Sequence, residues 1–358
     1  MKAGAMAAAA VAFQGFGGGR LLRAAANRWA LEDGSGHRHL RRRNAPPFTI
    51  LIYHRVHPEP TPFMIDAVPP ARFERQMRHL ARAYRPMALE ELAIRNLEGT
   101  VPPGAVAVTF DDGYTDVETH ALPILRRYGI PATVFLATGC IGTGRVPWHD
   151  EVLLAFERTP RSEIRLPVGS AGRTLPLGTE SDRAFAASQA LATLKPLPEA
   201  ERLAAVRAIG GQLRNGDARA PARGAEPPLM LDWDQVREMR RAGVRFGAHT
   251  VTHPILSRVT PERARDEVVE SKRAIERALG EEVTLFAYPN GRSEDFTEET
   301  VSLVRAAGFR AAVTTRFGAN ESGSDPFRFR RGTPWETDPA RFALKLAYYR
   351  LRSEREVA

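Results

Sequence analysis

Residues 111–114, Asp-Asp-Gly-Tyr, set two carboxylates side by side at the end of an apolar run, and far downstream His249 and His253 stand four apart. Neighbouring residues of an extended chain point to opposite sides, so Asp111 and Asp112 cannot share one task. One can bind a cation while the other takes a proton. Gly113 allows a tight turn that leaves the amide of Tyr114 facing whatever lies above the strand end. Taken alone, Asp-Asp-Gly reads equally well as a turn closing a hairpin, with an aspartate as helix cap. Two imidazoles at this spacing reach one side of a helical turn or tight loop. With one carboxylate they make three ligands and leave positions open for water, as catalytic metal sites do. A third polar strand end, Tyr288-Pro289-Asn290-Gly291, follows the apolar Leu285-Phe286-Ala287.

These groups need elements to hold them. Phe48 to Tyr53, ending in His54, is an apolar strand, and Ala105 to Phe110 reads as a strand buried on both faces. Residues 131–137, 244–248, 285–288, 309–314 and 327–331 are further strands, with a short one near Pro86-Met87. Helix spacing marks 70–84, 89–96, 232–242, 261–279, 297–307 and 339–351. Residues 116–127 read as one more helix, capped by Asp116 and stopped near Gly129. Strands alternating with helices predict a parallel sheet with crossover helices, whose chemistry sits on the loops after the strands.

Residues 159–228 break that rhythm and read as an insertion over one edge of the site, with helices at 182–194 and 199–213. Just before it, Trp148 could stack on a sugar and Asp150 bond a hydroxyl, or the pair could simply begin a helix, Trp148 packing beneath it.

The chain has 358 residues, 43% apolar and 26% charged, enough for one large α/β domain over 47–351. Of the net charge of +9, +6 falls in residues 1–46. That segment reads as a flexible basic extension, its alanine-rich start too short to span a bilayer, and 352–358 as a tail. The body is nearly neutral, so no nucleic-acid footprint is expected. Cys140 is the single cysteine, which excludes an internal disulfide and a cysteine zinc cluster. A cytoplasmic location is favoured, with the periplasm or secretion as the alternative.

Thr109 to Gly113, His249 to Pro254 and Phe286 to Gly291 resemble the first three motifs of the polysaccharide deacetylase family, the NodB-like group of carbohydrate esterase family 4. The resemblance spans roughly residues 48–345. It implies a distorted (β/α) barrel of about seven strands and one divalent metal ion, zinc being the expected one, held by Asp112, His249 and His253. It implies Asp111 as base for a metal-activated water, the Tyr114 amide as an oxyanion donor, and Tyr288, Pro289, Asn290 and Gly291 beside the substrate. The expected activity is removal of acetyl groups from N-acetylated sugars, with an acetylated saccharide polymer or glycolipid as partner.

Two departures stand out. The family often places a histidine late in the chain as general acid, and none follows His253. The departing amine still needs a proton. His54 is the candidate, unless it is a buried histidine bonded to backbone. Ala287 stands where the family often has an arginine that orients the catalytic aspartate, leaving Arg292 and Arg331 as candidates by location. An O-deacetylase or other metal-dependent amide hydrolase, and a catalytically weak saccharide binder, remain open on the same scaffold.

Overall fold

A computed structural model describes residues 46–167, 174–214 and 228–351. The expected basic extension, apart from Pro46, and the expected tail at 352–358 lie outside the described residues. The chain runs β1 (Thr49–Tyr53), α1 (Pro70–Ala83), β2 (Arg85–Pro86), α2 (Leu89–Glu98) and β3 (Ala105–Phe110). A π-helical turn (Val117–Ala121) leads into α3 (Leu122–Tyr128), then β4 (Ala132–Leu136) and α4 (Trp148–Arg158). Next come β5 (Glu163–Arg165), β6 (Thr174–Pro176), α5 (Glu180–Leu194), α6 (Glu199–Leu213) and α7 (Trp233–Arg241). The last part is β7 (Arg245–Ala248), α8 (Pro261–Leu279), β8 (Leu285–Ala287), α9 (Glu298–Ala306), β9 (Ala311–Phe317), β10 (Phe329–Arg331) and α10 (Pro339–Leu351).

Strands β1, β3, β4, β7, β8, β9 and β10 pair in that order, all parallel, with β2 added beside β3. Gly332, just past β10, bonds back to β1: its N–H donates to Ile50 (2.7 Å) and its carbonyl accepts from Ile52 (3.1 Å). The sheet therefore nearly closes, a distorted (β/α) barrel of seven strands.

Alternation along each strand sorts the core. One set (Ile50, Ala105, Ala107, Phe135, Leu285, Ala287, Ala311, Val313 and Phe329) clusters with Leu89, Leu92 and Ala93 of α2. The other set, including Leu51, Val106, Val108, Val134, Phe246 and Phe286, packs against Phe73 and Met77 of α1, Val236 of α7 and Val268 of α8. The insertion has its own core, where Phe156 and Val152 of α4 meet Leu194 of α5 and Ile209 of α6.

The helix expected over 116–127 begins instead as the π turn, and Asp116 makes no side-chain cap bond. Its carboxylate accepts from Arg55 Nε at 2.7 Å and from the Val56 amide. Pro123, at the second position of α3, has no N–H to give and suits the start of a helix better than its interior.

Candidate active site

The inward positions of β3, Ala105 and Ala107, continue through Thr109 to Asp111 just beyond its end. Strict alternation would aim Asp112 away. It does not, because Asp112 takes a left-handed backbone, φ 71°, before Gly113 at φ 90°. A side chain on Gly113 would meet Leu136 Cδ2 at 2.8 Å, besides the cost of the conformation. Thr250, His253 and Asn290 share positive φ at 65°, 57° and 58°. Four of the five such non-glycine residues described thus lie in the three motifs, which is where backbone strain collects when a site is over-determined by its surroundings.

Asp112 meets both histidines of the second motif. Its Oδ1 lies 3.5 Å from His249 Nε2 and 3.3 Å from His253 Nε2, and the three donor atoms lie within 4.8 Å of one another. His249 Nδ1 is tied to the Ala287 carbonyl at 2.7 Å, which leaves Nε2 with its lone pair toward Asp112. The loop carrying both histidines is pinned by Glu267 of α8. That carboxylate accepts from the amides of Val251 (2.7 Å) and Thr252 (2.8 Å) and from the Thr252 hydroxyl (2.6 Å).

All three groups are buried, with Asp112 1% exposed. Burial lowers His249 to about 4 and His253 well below its usual value, so both imidazoles are neutral. Burial, together with the nearby Asp111 and Asp150 charges, raises Asp112. Its Oδ1 has no hydrogen-bond partner. A carboxylate crowded by other carboxylates away from water, facing two neutral imidazoles, fits a divalent cation.

Asp111 is held differently. Arg331, at the end of β10 and itself fully buried, donates from its two terminal nitrogens to the two carboxylate oxygens, each at 2.7 Å. Arg331 also donates through Nε to the Thr314 carbonyl and through Nη1 to Thr109 Oγ1. Burial alone would raise the Asp111 carboxyl, yet the charge and hydrogen bonds of Arg331 hold it at about 2. It is ionised at neutral pH. Of the two arginines suggested by location, Arg331 orients Asp111. Arg292 sits at the surface, 67% exposed, 3.9 Å from Glu294.

His54 follows β1 and is 15% exposed, with Nδ1 3.5 Å from Asp66 Oδ2. The Tyr114 amide is not consumed by its bridge to Met230, since the amides of Thr115 and Leu231 make those bonds. Its side-chain hydroxyl donates to Asp150 Oδ2 at 2.8 Å. Burial pushes the Asp150 carboxyl up to about 7, against the lowering by that bond. Asp150 is thus a buried partner of Tyr114. Trp148 is 4% exposed and packs in the core of the insertion, with the Arg202 guanidinium 5.3 Å above its ring. Its face is covered by protein. Tyr288 is buried as well, stacked on Phe296 at 4.2 Å, its hydroxyl donating to the Phe327 carbonyl. Pro289 and Asn290 belong to a tight loop: the Pro289 carbonyl accepts from Gly291, and the Asn290 carbonyl accepts from Thr315. A side chain on Gly291, φ 67°, would meet the Thr315 amide at 2.8 Å.

One side chain escaped the sequence reading. His149, buried in the first turn of α4, lies 3.8 Å from Asp112 Oδ2 and 3.6 Å from Asp150 Oδ2. Its position between Trp148 and Asp150 was a usable signal, because a helix that buries those two at its start brings its second residue close to them.

The polysaccharide deacetylase family model matches residues 98–181 and 185–312. YxkH of Bacillus subtilis (strain 168), a protein named for the same family, is 23% identical over 254 residues, 70% of this chain and 60% of its own length. The chain therefore spans less than two thirds of that relative. A poly-beta-1,6-N-acetyl-D-glucosamine N-deacetylase of Staphylococcus aureus (strain MSSA476) is 34% identical over 77 residues, 21% of this chain and 27% of the relative. Among solved structures, IcaB from Ammonifex degensii superposes with TM-score 0.54 at 20% identity, covering 86% of this chain and 98% of that one. The deacetylase PplD from Streptococcus pyogenes gives 0.52 at 21%, covering 80% and 92%. With its barrel, its motif residues at the strand ends and a family match over more than half its length, this chain belongs to the polysaccharide deacetylase family.

Proposed function

We propose that this chain is a metal-dependent hydrolase that removes acetyl groups from the N-acetylated sugars of a polysaccharide or glycoconjugate. The observation that carries the reading is a carboxylate, Asp111, fixed by Arg331 beside an Asp112–His249–His253 cluster suited to a cation. A divalent ion held by those three residues would polarise the acetyl carbonyl and lower the pKa of water. Zinc suits the two-imidazole, one-carboxylate donor set.

The chain's own groups do the rest. Asp111 receives the proton of the attacking water through a lone pair that Arg331 leaves free, since each carboxylate oxygen has two. Arg331 fixes the direction of that lone pair. The Tyr114 amide faces the tetrahedral oxyanion. His54, just past the end of β1, gives the departing amine its proton, because an amide anion is too basic to leave. The named activity of the Staphylococcus aureus relative supports N-acetylglucosamine polymers as the first substrates to try.

The test is acetate release from N-acetylglucosamine oligomers, beside O-acetylated xylan, with and without chelator. Release from the former that chelation abolishes is expected, as is a turnover in His54→Ala that falls far more than its metal content. Release from the O-acetylated polymer alone would contradict the reading.

A further inference from the structure

Resting on that reading, we propose that Phe317 and Trp335 form a stacking platform for a pyranose ring of the acetylated glycan, at a position beyond the sugar being cleaved. Phe317 is 56% and Trp335 44% exposed, and their rings meet edge to face at 5.8 Å. One exposed aromatic is ordinary. A pair in mutual contact just past the ends of two neighbouring strands is an apolar patch with a direction, and the carbon–hydrogen face of a pyranose is its natural complement.

The backbone fixes both rings to the strands that carry the chemistry. Phe317 ends β9, and the register sets it opposite Arg331, the arginine that grips Asp111. Trp335 lies four residues past Arg331, beyond the same strand end. The carbonyl of Pro334 accepts from Gln76 Nε2 at 2.8 Å, and Gln76 Oε1 accepts from the Tyr53 hydroxyl at 3.0 Å. Tyr53 is the last residue of β1, next to His54. The platform is therefore tied on one side to the base and on the other to the strand of the proposed acid.

Polar groups flank it, as sugar hydroxyls require. The Lys345 ammonium sits over one side of the Trp335 ring, 5.8 Å from its centre and 3.3 Å from Glu336 Oε1, so a pyranose would stack on the other side. Trp148, whose neighbour His149 lies 3.8 Å from Asp112, is covered by Arg202 and cannot offer a face. Phe317 and Trp335 remain exposed. Binding there acts alike on ground state and transition state, so it shows in KM and grows with chain length.

The experiment compares acetate release from the dimer and the hexamer of N-acetylglucosamine by the wild type, Trp335→Ala and Phe317→Ala. The wild type is expected to prefer the hexamer in kcat/KM, and either substitution to cut that preference about five- to tenfold, mainly through KM. Trp335→Tyr should restore part of it. Trp335→Gln serves the same comparison should an alanine variant fail to fold. Variants that keep the wild-type preference, or a wild type with none, overturn the platform and leave the deacetylase reading intact. A wild type that releases acetate from neither oligomer overturns that reading and the platform with it.

Discussion

Asp111 stays charged in the interior because a guanidinium from β10, two strands away across the closing seam, reaches it with two parallel donors. A carboxyl whose folded pKa, here about 2, lies below its unfolded value near ~3.9 stabilises the fold above that unfolded value. The contribution is lost as pH falls through the folded value. Urea midpoints between pH 4 and pH 2 should accordingly drop more steeply in the wild type than in Asp111→Asn. Arg331→Met strands the carboxylate without its partner, and unfolding at neutral pH should show a loss of about 3–5 kcal/mol. Arg331→Lys keeps the charge without the fork and should recover only part of it. The aspartate pair and the two histidines were legible as residues because their types and spacing have few other uses. Arg331 was legible only as one of two, since a partner 220 positions away is chosen by barrel closure and not by local pattern. Trp148 shows the opposite failure: an aromatic beside a site reads the same whether its face is open or packed.

At the scale of elements, the candidate metal cluster depends on how β7 ends. The loop from His249 to His253 has positive φ at Thr250 and at His253, itself a candidate ligand, and Glu267 on α8 holds its amides. Removing that support should loosen both imidazoles. Glu267→Ala is expected to weaken metal affinity about 10–100-fold, measured by competition with a chromogenic chelator, with secondary structure kept. An undiminished affinity would show that the loop holds itself. Sequence patterning could not single out Glu267, because acidic residues in the early turns of α8 already read as complements to the helix dipole. The strands themselves were readable from their buried apolar runs. The left-handed turn at Asp112 was not, and it is the reason both carboxylates reach the same mouth.

At the scale of the molecule, two seams decide whether the site stays assembled. One is the closure of the sheet, where Gly332 pairs with β1 while the ring of Tyr349 on α10 leans over it. A Cβ there would come within 2.7 Å of that ring. Gly332→Val should displace Tyr349 and cost about 1–3 kcal/mol, read as a lower thermal midpoint. Because Arg331 is the preceding residue, acetate release should fall more than the melting curve alone accounts for. The other seam is α4, whose first turn sets His149 and Asp150 beside Asp112 while its later turns supply Phe156 to the core of the insertion. The barrel was legible in the alternation of strand and helix. Its nearly closed seam was not, since one glycine after a three-residue strand carries no visible signal.

The most direct measurement is the divalent-metal stoichiometry of the purified protein and of its single variants, taken by equilibrium dialysis and elemental analysis. One ion per chain is predicted for the wild type and for Asp111→Asn, and loss of that ion for Asp112→Ala, His249→Ala and His253→Ala. Folded variants at those three positions that still bind one ion as tightly as the wild type would contradict the account.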